Sequence, residues 1–287
     1  MISSLALSLT LLAPASLPAA APLAPPVLAS FQDDEEKPDK REEVKDALKS
    51  LKDHAGKRGD EDIEAIQVIE TLKTEFPESG PKDRKAIVKG INACLKAKRK
   101  LTKDKLFDNK LHLAAAEALG DMGPESIKDL SGWVDHKSFI KDLDMRRTLI
   151  LSLGRTKDED AVDPLVDLLT NHEPVVQASA AQALGDYGFL DQKERKAVFK
   201  KVLDVITQVK NALDVGQTDP IVQDRYDTIA GPMLTTLQKL SGHDARDALV
   251  FRKWWNKNKK KEKEPEKQDH YSHGYHQDPY DQQPQDR

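Results

Sequence analysis

Three ten-residue stretches of this chain align without gaps: 111–120 (LHLAAAEALG), 145–154 (MRRTLILSLG) and 176–185 (VQASAAQALG). Their closing glycines, Gly120, Gly154 and Gly185, stand 34 and then 31 residues apart. Self-similarity at that period is the mark of a repeat architecture, in which each unit is one supersecondary element. Within each stretch the first, fifth and ninth residues are apolar: Leu111, Ala115 and Leu119; Met145, Leu149 and Leu153; Val176, Ala180 and Leu184. Spacing by four puts them on one face of a helix. The glycine after each is read as a helix terminator, since it enters the left-handed region without a Cβ penalty.

A second type of helix lies between these. Residues 160–169 (DAVDPLVDLL) carry Pro164 in the first turns, with Val162, Leu165, Val166 and Leu169 apolar, and Asn171-His172-Glu173-Pro174 breaks the chain before the next repeat. Residues 126–133 (SIKDLSGW) occupy the same place one unit earlier. Each unit is therefore a helix, a turn and a helix. Neither helix can bury its apolar face alone, so units must stack. Outside 109–188, 3.6-residue periodicity predicts further helices at 60–75, 81–98, 195–213, 220–240 and 244–256. No segment alternates with period two, so the expected fold class is all-α. Low aromatic content (5%) suits thin helical layers better than a sandwich or barrel.

The pattern resembles the HEAT-repeat family, and within it the short-repeat, phycobilisome-lyase-like branch. The residues that carry the likeness are Val176, Ala180-Ala181 and Ala183-Leu184-Gly185, with Met145-Arg146 and Leu153-Gly154 matching in part. The resemblance implies a right-handed α-solenoid of HEAT-like hairpins whose second helices line a concave binding surface. The family's arginine position is filled here by His112, Arg146 and Gln177 in turn, so an Asp–Arg ladder between repeats is expected to be incomplete. The section from Leu237 to Gly242 followed by Trp254-Trp255 is similar to the ending of exported bacterial HEAT-like proteins.

The ends differ from the middle. Residues 1–29 hold no Lys, Arg, Asp or Glu, and run from an apolar core at Leu5–Leu12 to small-residue contexts at Ala19-Ala20-Ala21 and Val27-Leu28-Ala29. That is the layout of a secretory signal peptide, although its n-region lacks a basic residue. Pro14, Pro18 and Pro22 interrupt the segment well short of the ~20 apolar residues a membrane span requires. Export to the periplasm or medium is the expectation, with no transmembrane segment in the mature chain. Residues 30–41 form a charged spacer read as mobile, 42–108 N-terminal helical repeats or a cap, 109–258 the repeats and a capping helix, and 259–287 a disordered polar tail.

Chemistry-bearing residues are few. His270, His273 and His276 could take zinc, copper or nickel as neutral imidazoles. They lie in a polar tail with little to preorganise them, so a solvated tail is the first reading and metal capture the alternative. Cys94 shares the face of Ile87, Ile91 and Leu95 and reads as a packing thiol. As the single cysteine it excludes an intramolecular disulfide framework. The basic runs at 96–100 and 257–263 read as solvated helix ends, with contact to anionic envelope polymers as a second possibility. A net charge of −4 favours neither nucleic acid nor an anionic surface. Trp133 reads as core, and one of Trp254 and Trp255 as the plug of the stack's open end.

No metalloprotease, nucleophile-elbow, Walker or dinucleotide motif is present in the sequence. The expected function is a non-enzymatic scaffold or adaptor that binds another protein, with no cofactor. A lyase-like or enzyme-accessory role, implied by the resemblance, is the further alternative; export and a buried Cys94 speak against it. The outward stripe of the second helices is expected to form the binding surface through Ala114, Glu117, Thr148, Leu151, Ser179 and Gln182, with Asp121, Arg155 and Asp186 at the helix ends.

Overall fold

The computed structural model describes residues 37–100, 108–215 and 219–260. Among the described residues there are eleven α-helices and no strand. They are α1 (Glu42–Ala55), α2 (Asp62–Glu75), α3 (Pro81–Cys94), α4 (Lys110–Asp121), α5 (Ile127–Val134) and α6 (Leu143–Arg155), then α7 (Val162–Leu168), α8 (Pro174–Leu184), α9 (Gln192–Val215), α10 (Pro220–Ser241) and α11 (Ala248–Asn258). Short 3-10 turns, Gly123–Ser126 and Glu159–Ala161, lead into α5 and α7.

The packing is that of stacked hairpins. Each even-numbered helix packs on the odd-numbered one before it, and the even helices form an unbroken row: α2 on α4, α4 on α6, α6 on α8, α8 on α10. α1 also packs on α3, while α1 on α2 and α2 on α4 extend the hairpin pattern to the N-terminal helices. α11 lies against α9, where the first helix of a sixth hairpin would sit. The repeat positions explain the row. Leu111, Ala115, Leu119, Met145, Leu149, Leu153, Val176, Ala180 and Leu184 are all fully buried, and Ile229, Met233 and Leu237 are buried at the matching spacing in α10.

Local sequence sets the helix starts. Pro81, Pro174 and Pro220 occupy first-turn positions, where the missing N–H costs nothing. Asp142, Asp219 and Asp247 cap α6, α10 and α11 by accepting backbone N–H groups of Met145, Ile221 and Leu249. Gly242, at φ +67°, ends α10 in the left-handed conformation.

The expectation that the repeat glycines terminate helices is corrected for Gly120 and Gly154; Gly185 does end α8, though without the left-handed conformation. Gly120 and Gly154 lie inside α4 and α6, and Gly185 follows α8 at φ −61°, an ordinary right-handed value. Each marks a close approach to the next even helix. A Cβ on Gly120 would come within 2.7 Å of the Ser152 carbonyl oxygen, one on Gly154 within 2.6 Å of Ala183 Cβ, and one on Gly185 within 3.0 Å of Thr236 Oγ1. The period of the repeat is thus a packing period, set by where successive backbones meet.

Residues 37–41, expected within a mobile spacer, are docked. The Asp39 carboxylate accepts the Lys82 and Asp83 amides at the start of α3, at 2.9 and 3.1 Å, and the Asp83 carboxylate accepts the Lys40 and Arg41 amides at 2.9 and 3.1 Å. Arg41 adds bonds to the Glu75 carboxylate and the Ser79 hydroxyl. Four orphan amides find acceptors in this exchange, which is why so charged a segment can be ordered.

At the other end, Trp255 and Phe251 pack on Phe199 of α9, with ring centroids 5.1 and 6.1 Å apart. Trp254 is half-buried and stacks on His243 at 5.2 Å. The tryptophan pair closes the stack, and Arg252 pins it through Asp204 at 2.9 Å.

Candidate functional site

The even-numbered helices carry the residues expected to meet a partner. Glu117, Gln182, Asp121, Arg155 and Asp186 are exposed, and Ala114, Thr148 and Leu151 are partly so. Ser179 is the exception. It is buried, and its hydroxyl donates to the Val175 carbonyl one turn back in the same helix at 2.7 Å, so it leaves the exposed stripe.

The charged members are joined across repeats. Lys73 of α2 meets Asp121 of α4 at 3.1 Å, and Arg155 of α6 reaches Asp121 at 3.7 Å and the Glu117 carbonyl at 2.9 Å. One repeat on, Asp186 takes Lys239 of α10 at 2.9 Å and Lys157 at 3.9 Å. Burial would lower the Lys73 pKa, but its hydrogen bonds to Asp121 and Glu70 outweigh that and raise it. An inter-repeat ladder therefore exists, at the C-terminal ends of the even helices. In solvent each such pair contributes little to stability, about 0–1 kcal/mol. The exposed Glu117 and Gln182 and the half-buried Leu151 lie on the same row of helices.

Of His112, Arg146 and Gln177, only Arg146 pairs with an aspartate, Asp135 just past α5 at 2.6 Å, and all three share a second task. Arg146 is fully buried, and its Nε donates to the Val134 carbonyl at the end of α5, at 3.0 Å. Gln177 Nε2 donates to the Leu169 carbonyl just past α7, at 2.7 Å. His112 Nε2 lies 3.1 Å from the Ala97 carbonyl just past α3, a bond that requires the proton on Nε2. Burial holds the His112 pKa below its ordinary value, which keeps that ring neutral. Three unlike side chains perform one job: each satisfies an orphan carbonyl at the C-terminal end of its hairpin's first helix. Their common property is a long side chain ending in an N–H.

The remaining sequence candidates fall as follows. Cys94 is buried, and burial pushes its thiol up to about 12, so it stays protonated. Trp133 is core, with its indole N–H on Asn92 Oδ1 at 2.6 Å. In the basic run at 96–100, Arg99 departs from the solvated reading. Its side chain is 1% exposed and faces the equally buried Asp62 at 3.4 Å. His270, His273 and His276 lie outside the described residues. Among the described residues no group of three His, Cys, Asp or Glu side chains is placed to hold a metal ion.

Two-layered stacking of short helical hairpins defines an α-solenoid. The HEAT repeats family matches residues 101–185 and, overlapping them, 141–205. Residues 101–205 are thus similar to HEAT repeats, and helices of the same packing continue on both sides of them. No curated protein matches the chain. No helix among the described residues is long and apolar enough to cross a membrane.

Proposed function

We propose that this chain is a non-enzymatic protein–protein interaction scaffold, working outside the cytoplasm, with the ridge of its even-numbered helices as the docking surface. HEAT repeats commonly serve protein partners, and stacked repeats present extended surfaces suited to that use. The observation that carries the reading is the charge ladder beside the exposed Glu117 and Gln182 and the half-buried Leu151: a surface held before a partner arrives lowers the entropy cost of binding. Export rests on the uncharged leader and its small-residue cleavage contexts.

The test is crosslinking followed by mass spectrometry in the native host, comparing the wild-type chain with the double variant Glu117→Lys, Gln182→Lys. Both positions are exposed, so the fold should survive. Loss of specific crosslinks with an unchanged circular dichroism melt is expected. Recovery of the same crosslinked partners at the same yield removes the ridge as the docking surface. The N-terminal mass of the exported chain checks the leader, with a start near residue 22 or 30 expected and an intact Met1 start contradicting it.

A further inference from the structure

A trough runs between α1 and α3. One wall is the small-residue face of α3, Ala86, Gly90 and Ala93, and the other is Leu48, Leu51 and Ala55 of α1. The approach is close at its middle, where a Cβ on Gly90 would fall 2.4 Å from Leu48 Cδ2. The space between measures about 710 Å³, within the roughly 300–1,000 Å³ of small-molecule sites.

Its polar lining is of one sign. Lys52, Arg58, Lys89 and Lys98 border the trough, all exposed, and no carboxylate does. Nearby acids are already engaged: Asp60 with Lys100, Glu61 with His54, Asp62 with Arg99. Among the described residues, the side-chain nitrogens of these four rim cations have no ion pair or hydrogen bond. At Arg58, Ala97 and Lys98 the trough meets a second cavity of about 660 Å³, bordered by Lys96, Lys141 and His136. Arg99 lines that cavity too; its Nη2 faces Asp62 at 3.4 Å, and its buried Nε has no hydrogen-bond partner among the described residues. Its one acid, Asp142, is committed to capping α6 and to Asn109.

We propose that the α1–α3 trough binds a long-chain anionic amphiphile, a fatty-acid-like molecule whose chain lies along the apolar walls and whose head group sits at Arg58 and Lys98. Shape and charge select for it together. The walls offer a chain nothing to hydrogen-bond. The rim, and the cavity beyond Lys98, offer an anion several unpaired donors, and Lys and Arg stems can lie along an acyl chain while their charged ends face the head group. A neutral or cationic amphiphile would fill the walls and gain nothing at the rim. The site lies on α1, α3 and the turns after them, apart from the ridge of Glu117 and Gln182, so either can fail without the other.

The experiment titrates the full-length chain with dansyl-undecanoate and follows its fluorescence. A saturable one-to-one rise is expected, reversed by palmitate but not by dodecyl maltoside. Affinity across dodecanoate to hexadecanoate should rise, by up to roughly fourfold per added methylene. Arg58→Glu with Lys98→Glu, both on exposed side chains, should weaken binding at least tenfold. Ala93→Phe, at an exposed position on the trough wall, should abolish it with an unchanged thermal melt. No saturable binding overturns the proposal, as does binding that both variants leave intact. Equal displacement by dodecyl maltoside overturns the role of the cations. Binding to anionic phospholipid vesicles without any to the monomeric probe overturns it in favour of a membrane-surface contact.

Discussion

Gly120 of α4 faces the backbone of Ser152 in α6 so closely that a Cβ would lie 2.7 Å from the Ser152 carbonyl oxygen and 2.9 Å from its Cα. Gly154 stands in the same relation to Ala183, at 2.6 Å from Cβ and 3.1 Å from Cα. In both cases the residue met is the one two places before the next repeat's glycine. The repeats are therefore in register at their tightest point, and that register is what stacks them.

Alanine at Gly120 or Gly154 should destabilise the chain despite alanine's better helix propensity. The atoms met are backbone or Cβ, which move only with their helix, and overpacking of this kind costs about 1–3 kcal/mol. The propensity gain offsets at most about 1 kcal/mol. Gly132 in α5 and Gly231 in α10 have nothing within 4 Å of where a Cβ would stand, so alanine there should stabilise by about 0.5–1 kcal/mol. Thermal melts of the four single variants check this: two should fall and two should rise.

These glycines also show what could be read from the sequence. The repeat, its two helix types and the buried faces were legible because a 3.6-residue apolar pattern carries that information directly. The role of Gly120 was not, since a glycine at a helix end and a glycine at a helix crossing leave the same trace after an Ala-Leu pair. The equivalence of His112, Arg146 and Gln177 was hidden for a related reason. It lies in a donated N–H at a given reach, and a comparison by residue type sees three departures. Ser179 failed because helical facing alone does not say which flank the next repeat will cover. The trough is assembled from residues in the forties, fifties, eighties and nineties, so no local window contains it.

His112 gives a pH-dependent prediction. Burial depresses its folded pKa below the ordinary 6.5, so as pH falls the unfolded chain takes up a proton that the folded chain resists. The stability linked to this residue is complete above pH 6.5 and is lost as pH falls from there toward the folded value. His112→Gln keeps a donor for the Ala97 carbonyl, as Gln177 does for Leu169, and removes the titration. Urea melts at pH 8 and pH 5 should show a smaller loss on acidification in the variant than in wild type. Parallel losses would mean that His112 is not titrating in this window.

The Asp62–Arg99 pair predicts a compensating double change. Both side chains are buried, and burial raises the Asp62 pKa against the opposing pull of Arg99. Removing one partner strands the other's charge, so Arg99→Met should cost about 3–5 kcal/mol at neutral pH. That deficit relative to wild type should shrink on acidification, because the folded chain then holds a proton on Asp62 more readily than the unfolded chain does. Asp62→Asn added to Arg99→Met should recover most of the loss. If the two single effects simply add in a denaturation cycle, the pair is not coupled.

The segment before α1 is tested through Asp39, which caps a helix that begins more than forty residues later. Its carboxylate holds the Lys82 and Asp83 amides while Asp83 returns the arrangement to Lys40 and Arg41, so the two acids fasten the strap to the start of α3. Gly80 fits beneath it, donating to the Pro38 carbonyl at 3.0 Å, and a Cβ there would meet Asp39 at 2.6 Å. Asp39→Ala should cost about 0.5–2 kcal/mol, the range for losing a helix cap. It should also free Lys40 and Arg41 for trypsin, since cleavage requires the strap to leave the surface of α3. Limited digestion should therefore cut the variant after residues 40 and 41 well before wild type. Equal cutting in both would show that Asp39 does not hold this strap in solution.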